Sequence, residues 1–274
     1  MMETKWLIER GIFEDTEESL KKTLNRHNIK YREAKYQCFQ SGSEYLSLFD
    51  HNDCVVFYGS LNFGVQIGRQ APWIPGIYCD LDKYKCTNYY PKLGGYLFNY
   101  LCCFLPYGMI EDIHCYDQHI TFGHFFCRPD TGFKSFTGQV VNSGNIVDFK
   151  NSTDCHNLSD SDLLLISSPA GIKREWRLVV TDQVITGSQY KHNGQSSVSD
   201  ELPNEVVQFA NRVLEDTKFR PEPIWTMDIC QSGDTLNVLE IGCFSCAGLY
   251  ECNLDDIVLE VNNLAMQDWS EVHE

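Results

Sequence analysis

From about Ile120 onward the chain passes through one strand-like segment after another, and this run constrains its fold more than any other feature. Phe122–Cys127, Ser135–Val141, Ser161–Ser167, Glu175–Thr181 and Val184–Tyr190 are rich in aromatic and β-branched residues and are separated by polar turns. One helix interrupts them, over Glu201–Asp216, where Val206, Val207, Ala210, Val213 and Leu214 fall near helical spacing. Ile224–Cys230 and Thr235–Ile241 read as a hairpin turning at Gln231-Ser-Gly-Asp234, and a last helix is expected within Leu254–Gln267. The opening has a different rhythm. Trp6–Glu9 is a short extended run, Asp15 is placed as a helix N-cap with Glu18 three residues on, and Leu20 and Leu24 mark one helical face. With strands at Tyr31–Tyr36 and Cys54–Tyr58, this portion predicts a small α/β layer on a parallel sheet. Between Gly59 and Tyr107 the chain is rich in Gly, Pro, Tyr and Asn. Trp73-Ile-Pro-Gly76 reads there as a turn and Gly95–Phe104 as a helix. Gly59-Ser-Leu-Asn-Phe-Gly64 lacks the Gly-Lys-Ser/Thr ending that a phosphate loop requires. The whole is of the α+β class.

Charge excludes one broad function. Against 22 Lys and Arg stand 38 Asp and Glu, a net charge of −16, whereas a protein that docks on a phosphate backbone needs a basic field. Nucleic acid is therefore not an expected partner, although a local basic pocket for a small anion is compatible with the balance. No run approaches the ~18 apolar residues that span a bilayer. The longest, near Leu97–Pro106, is short and broken by Asn99. Residues 1–10 carry both signs of charge and no apolar core, so the expected setting is the cytoplasm, away from membranes. The 13 cysteines agree: an odd number cannot pair completely within one chain, and many sit in apolar strings, as Cys54 does before Val55-Val56-Phe57. Cys243-Phe-Ser-Cys246, with Cys230 and Cys252 nearby, lacks a second C-x-x-C or H-x3-H partner, so reduced thiols are expected rather than a zinc site.

Three clusters can carry chemistry. Asp228 and Glu240 lie on the two strands of the C-terminal hairpin, and two acids held close call for a cation with oxygen ligands, such as magnesium. Regular pairing would set Asp228 opposite Asn237, leaving Glu240 roughly 10 Å along the strand, so a bulge or shifted register is needed to unite them. In Phe125-Phe-Cys-Arg-Pro-Asp-Thr-Gly-Phe-Lys-Ser-Phe-Thr-Gly138 a strand delivers Arg128, a loop turns, and Lys134 precedes the next strand. Two cations and exposed backbone N–H groups facing one hollow suit an anion. In Lys173-Arg-Glu-Trp-Arg-Leu-Val-Val180, alternation puts Lys173, Glu175 and Arg177 on one face, and Tyr190-Lys191 closes the following strand.

In this order the segments resemble an ATP-grasp domain: strand-Arg-Pro with a glycine/lysine loop, Leu163-Leu-Leu-Ile-Ser-Ser168, Glu-Trp-Arg, then Asp-x11-Glu. The clade they resemble most is the one named for its two arginines and a lysine. The resemblance spans roughly 110–263, and Tyr58-Gly-Ser60 with Trp73-Ile-Pro-Gly76 look like that clade's N-terminal portion. It implies an ATP-grasp fold, two α+β subdomains gripping a nucleotide over 110–274, preceded by a small α/β domain over 1–109. It implies ATP and Mg²⁺ as cofactors. Arg128 stands at the usual phosphate-binding lysine position and Lys134 on the loop covering the phosphates. Leu165, Ile166, Ser167 and Ser168 look like the hinge whose backbone meets adenine, and Glu175 falls among the nucleotide contacts. Arg177 matches the arginine facing the γ-phosphate or acyl phosphate, Lys191 a further basic position, and Asp228 and Glu240 the magnesium ligands. One departure stands out: the family's Glu-x-Asn is here Glu240-Ile-Gly242, which removes the neutral third ligand.

The activity the resemblance implies is ATP-dependent ligation of a carboxylic acid to an amine through an acyl phosphate, on small-molecule or peptide substrates. Two alternatives follow from the same residues. One is a nucleotide-binding or scaffold protein that has lost ligation, motivated by Gly242. The other is a phosphotransferase that stops at phosphoryl transfer.

Overall fold

The structure, a computed structural model, describes residues 3–36, 44–119, 121–133, 135–152, 155 and 157–273. Its first sheet is parallel throughout. Strands β1 (Lys5–Glu9), β2 (Tyr31–Ala34), β3 (Cys54–Tyr58) and β4 (Ile74–Gly76) lie in the order β2-β1-β3-β4. Period-two alternation sends Trp6, Ile8, Val56 and Tyr58 to one face and Leu7, Val55 and Phe57 to the other, so both faces need cover. Helix α1 (Glu14–Arg26) lays Leu20 and Leu24 on the first face, together with Ile257, Val258, Val261 and Ala265 of the C-terminal helix α6 (Leu254–His273). Helix α2 (Leu61–Gln70) covers the second face with Phe63 and Ile67.

Several expectations about this portion need correction. Helix α1 begins at Glu14 with Phe13 at its N-cap, so position 15 falls within the first turn. Within Trp73–Gly76, Ile74–Gly76 forms the edge strand β4 rather than a free turn. An edge tolerates Pro75, which has no N–H to give a ladder, and the Ile74–Pro75 bond is cis. Gly95–Phe104 is not an α-helix: it leaves a single 3-10 turn at Gly94–Tyr96 and enters β5 at Cys102. The helix lies earlier, α3 (Cys86–Leu93), and ends where Gly94 adopts φ +52°. Beyond it the Phe98 N–H donates to the Val238 carbonyl (2.9 Å), drawing the segment onto the C-terminal hairpin.

Two antiparallel sheets make up the rest. One comprises β5 (Cys102–Pro106), β6 (His124–Pro129), β7 (Gln139–Asn142) and β8 (Leu163–Ser167), ordered β5-β8-β6-β7. The short helix α4 (Ile146–Lys150) packs Ile146 and Phe149 against its Phe125, Val141 and Leu164. The division expected at 109/110 thus falls just after a strand, β5, whose partner β8 lies well downstream. The other sheet comprises β9 (Arg174–Val180), β10 (Val184–His192), β11 (Gln195–Ser199), β12 (Trp225–Ser232) and β13 (Thr235–Cys243), ordered β11-β10-β9-β12-β13. Helix α5 (Asn204–Thr217) packs Val206, Ala210, Val213 and Leu214 against its Trp176, Leu178, Met227 and Ile229. The opposite face of this sheet buries Val179 against the N-terminal core and carries Glu175, Arg177, Asp228 and Glu240, and those charged residues mark the site. Among the described residues no helix is long and apolar enough to cross a membrane.

Candidate active site

The hairpin of β12 and β13 is tighter than its sequence suggests, and it is irregular. Its loop is only Gly233-Asp234, closed by Ser232 opposite Thr235, with Gly233 at φ +57° where a side chain would be strained. Regular pairing from that turn sets Ile229 opposite Val238, and continued regularly would set Asp228 opposite Leu239. The register slips there: Asp228 faces Glu240, and Leu239 is the extra residue of a bulge. A slip of one residue turns the strand over. Without it Glu240 would pass to the buried face; with it the two acids stand on adjacent strands of the same face, with Cβ atoms on the order of 5 Å apart.

On the other side of β12 lies β9, where Arg177 is the register partner of Asp228. Arg177, Asp228 and Glu240 therefore stand abreast across three strands. Arg177 holds Asp228 in a fork, its Nε donating to Oδ1 (2.6 Å) and its Nη2 to Oδ2 (2.7 Å), while Nη1 donates to the Gly248 carbonyl (3.0 Å). The Tyr190 hydroxyl donates to Asp228 Oδ2 (3.2 Å). Burial, and then the neighbouring Asp228 charge, push that hydroxyl well above its usual range, so it remains a donor. Tyr190 stacks on Tyr250 at 5.0 Å, and the Arg177 guanidinium carbon lies 5.8 and 5.5 Å from the two ring centres.

Glu240 is held from the other sheet. Arg128, near the end of β6 and 9% exposed, places Nη2 3.0 Å from Glu240 Oε2. Lys191 Nζ donates to Glu175 Oε1 (3.3 Å), the pair being register partners on β10 and β9. The structure thus brings together Arg128, Glu175, Arg177, Lys191, Asp228 and Glu240. Lys134 lies outside the described residues. Leu165 and Ile166 are placed differently: they sit in the interior of β8, paired with β5 on one side and β6 on the other, and neither lines a cavity of the site. Ser167 closes that strand and Ser168 follows it, half-buried, so the part of this segment with backbone not committed to the ladder begins after Ser167.

Two cavities converge on the charges. One, of about 430 Å³, opens between the antiparallel sheets and is lined by Phe126, Gly138, Glu175, Tyr190, Lys191 and Leu239. The other, of about 240 Å³, lies toward the N-terminal sheet and is lined by Leu61, Tyr84, Thr131, Thr226, Gly242 and Cys246. Arg128, Arg177, Asp228, Glu240 and Tyr250 line both. An anion with one end in each cavity would meet both arginines at its centre. Two carboxylates side by side on that boundary are oxygen donors of the kind magnesium takes, and they fit such an ion. In this structure each is neutralised by an arginine. Gly242 contributes no donor, and a Cβ there would come 3.0 Å from Thr226 Oγ1, which itself donates to the Gly242 carbonyl (3.1 Å).

Some lining residues escaped the sequence reading. Asn99, buried and lining the larger cavity, was visible only as the break in an apolar run. Tyr250, at φ +50°, carried a faint signal: an aromatic two residues past a glycine, just after the Cys-x-x-Cys stretch.

The comparisons agree with this geometry. The family model that matches is an ATP-grasp domain, family 3 of the clade named for two arginines and a lysine, and it covers residues 94–261. Among solved structures, a D-cycloserine synthetase, DcsG, superposes with a TM-score of 0.62 at 12% identity, covering 96% of this chain and 99% of its own. The D-alanine–D-alanine ligase from Bacillus anthracis gives 0.58 at 13%, covering 99% and 98%. The ATP-grasp ligase PsnB, complexed with a minimal precursor, gives 0.56 at 13%, covering 97% and 100%. No curated protein matches the sequence.

Proposed function

Because the chain belongs to the ATP-grasp domain family of the two-arginine, one-lysine clade, we propose that it is an ATP-dependent carboxylate–amine ligase whose reacting groups meet where the two cavities join. The observation that carries this reading is the row Arg177, Asp228, Glu240, with Arg128 closing it from the facing sheet. The similar folds of DcsG, PsnB and the D-alanine–D-alanine ligase, two of them ligases by name, support it.

In this reading the nucleotide occupies the cavity between the antiparallel sheets and the acid substrate the cavity toward the N-terminal sheet. The N-terminal portion, over about 1–109, shapes the acceptor side through Leu61, Leu81 and Tyr84. Asp228 and Glu240 would hold magnesium, which supplies charge neutralisation on the transferring phosphoryl group. Arg128 and Arg177, now turned to the two acids, are within reach of the phosphate oxygens that a metal-bound nucleotide would bring. Lys191 and Glu175 flank the nucleotide, and the segment from Ser168 onward, past the paired Ser167, offers backbone to the base. The substrate carboxylate, oriented by Arg177, attacks the γ-phosphorus, the bond to the β,γ-bridging oxygen breaks, and ADP leaves as the acyl phosphate forms. The amine then displaces phosphate from the acyl phosphate to leave an amide. The protein's contribution is alignment and charge, and no side chain need act as a covalent nucleophile.

The direct test is thermal stability with and without magnesium and a non-hydrolysable ATP analogue, since a ligand of the native state raises the midpoint by mass action. A magnesium-dependent rise is expected, followed by ADP release that depends on an added acid and amine. Glu240→Gln is expected to lower that release by roughly a hundredfold or more; unchanged turnover would show the metal assignment to be wrong. Gly242 favours a second reading, a nucleotide-binding protein that does not ligate. It predicts the same stabilisation by the analogue with no acid-dependent ADP release. A phosphorylated acid with no amine incorporated, seen by mass spectrometry, would instead mark a phosphotransferase.

A further inference from the structure

Three cysteines from two distant stretches of the chain meet beside the smaller cavity. Cys79 follows β4, Cys243 ends β13, and Cys246 lies in the short 3-10 turn after it. Their Sγ atoms all lie within 4.8 Å of one another. Thiolates on a tetrahedral zinc, with bonds of ~2.3 Å, stand roughly 3.8 Å apart, so shifts of under ~1 Å would close the cluster on an ion.

The backbone holds the cluster in place. Ser245, fully buried between Cys243 and Cys246, accepts from the Tyr78 N–H through its side chain (2.9 Å) and donates its own N–H to the Tyr78 carbonyl (3.3 Å). Its carbonyl accepts from the Gly59 N–H (2.9 Å). The residue before Cys79 is thereby tied to the residue inside the Cys-x-x-Cys turn. The cluster also has access from two sides: Cys243 and Cys246 line the 240 Å³ cavity, and Cys79 lines an open groove of about 680 Å³ along α2. The buried Glu222 carboxyl, which accepts from the Asp80 N–H (3.0 Å), is near enough to interact electrostatically with Cys79 and Cys243. Such a setting favours a cation.

We propose that Cys79, Cys243 and Cys246 bind a thiophilic divalent cation, zinc, with its fourth position open to solvent or to a donor atom entering from the smaller cavity. Three thiolates with one exchangeable position suit zinc's tetrahedral preference. The ion would tie the N-terminal sheet to the end of the C-terminal hairpin beside the acid-binding space, whatever chemistry that space supports.

Metal analysis of the purified chain after exchange with Co²⁺ tests this without any nucleotide. A thiolate-to-cobalt charge-transfer band is expected, saturating at about one ion per chain. Zinc should displace it. Cys79→Ser and Cys246→Ser should each weaken ion binding at least tenfold, and Cys230→Ser, buried in β12 outside the cluster, should not. Circular dichroism identifies any variant that fails to fold, and the wild-type titration decides by itself. Absence of the band in folded, fully reduced wild-type protein would overturn the proposal. So would a mass two hydrogens light with Cys243 or Cys246 in a disulfide, because the cluster would then be redox-active rather than metal-binding. Failure of ligation with the cobalt band intact would count against the ligase reading only.

Discussion

The two cavities share Arg128, Arg177, Asp228, Glu240 and Tyr250, yet they are built in different ways. The larger one is walled by strands in register. Glu175 and Arg177 alternate outward along β9, Lys191 and Tyr190 follow from β10, and Phe126 and Arg128 face them from β6. The smaller is walled by ends and turns: the start of α2 at Leu61, the 3-10 turn of Leu81 and Tyr84, the Thr131-Gly132 loop and the stretch from Gly242 to Gly248. Regular ladders fix a side chain's direction from its position alone. Ends and turns do so only through long-range contacts. In the proposed reading, the nucleotide side is therefore the one set by local rules, whereas the acceptor side depends on contacts between distant stretches of the chain.

The comparison breaks first at the residue both cavities depend on. Asp228 has a side chain only 3% exposed and is held by Arg177 and Tyr190. In Asp228→Ala a buried guanidinium would lose its counter-charge, which costs about 3–5 kcal/mol, and acid-dependent ADP release should vanish with it. Chemical denaturation with parallel binding of the ATP analogue checks both. A loss confined to nucleotide binding, with stability intact, would mean that the fork between Arg177 and Asp228 does not organise both sides.

The next largest effect should separate the sides by pH. Glu222, near the acceptor cavity, accepts from the Tyr84 hydroxyl and the Asp80 N–H, yet burial raises its carboxyl from 4.5 to about 7. A raised carboxyl favours the protonated fold. Its stabilising contribution is complete below about pH 4.5 and is lost as pH climbs through about 7. Over that window wild type should lose on the order of 3 kcal/mol relative to Glu222→Gln. The difference between their denaturation midpoints, followed from pH 4 to 8, measures it; a flat difference would show that the Glu222 carboxyl titrates normally.

These expectations rest on parts of the molecule that were unequally legible. Alternation along 173–180 put Glu175 and Arg177 on one face from sequence alone, because β9 is regular there. The acids were visible as a pair, but only the bulge at Leu239 unites them, and the turn had to be placed at Gly233-Asp234 to see it. An adenine-facing hinge at Leu165 and Ile166 is not what the sheet holds, because an apolar string does not reveal whether its strand has a free edge; β5 and β6 occupy both. The Cys-x-x-Cys stretch has no partner along the sequence because its neighbour in space, Cys79, comes from a distant part of the chain, while Cys230 and Cys252 pack elsewhere. Local pattern fixes faces; contacts across domains decide which faces meet.

A smaller effect should confirm that the nucleotide side can be altered alone. Lys191 lines only the larger cavity, where its ammonium faces Glu175. Lys191→Met should weaken the ATP analogue about fivefold to tenfold, ~1–1.4 kcal/mol, and leave the KM for the acid unchanged. Isothermal titration with the analogue and initial rates against acid concentration provide the two readouts. Equal losses in both would mean that the cavities act as one site.

The smallest effect bears on the question with the most at stake, whether the acceptor side still supports ligation. Gly242 stands where the sequence resemblance implies a neutral ligand, and Thr226 occupies the space beside it: its Oγ1 would lie 3.0 Å from any Cβ at 242, and it donates to the Gly242 carbonyl. The two positions are register partners, so they should couple energetically. Gly242→Asn alone is expected to cost roughly 0.5–1 kcal/mol through crowding against a buried hydroxyl. Combined with Thr226→Ala, the loss should be smaller than the sum of the single losses by about 0.5 kcal/mol in a double-mutant cycle. If magnesium affinity then rises while acid-dependent turnover stays as in wild type, the missing ligand limits metal binding and not catalysis, and the ligase reading stands. If turnover appears only in the double variant, the wild-type chain has kept the grip on nucleotide and given up ligation, and the substitution at 242 together with its filled neighbour is the reason.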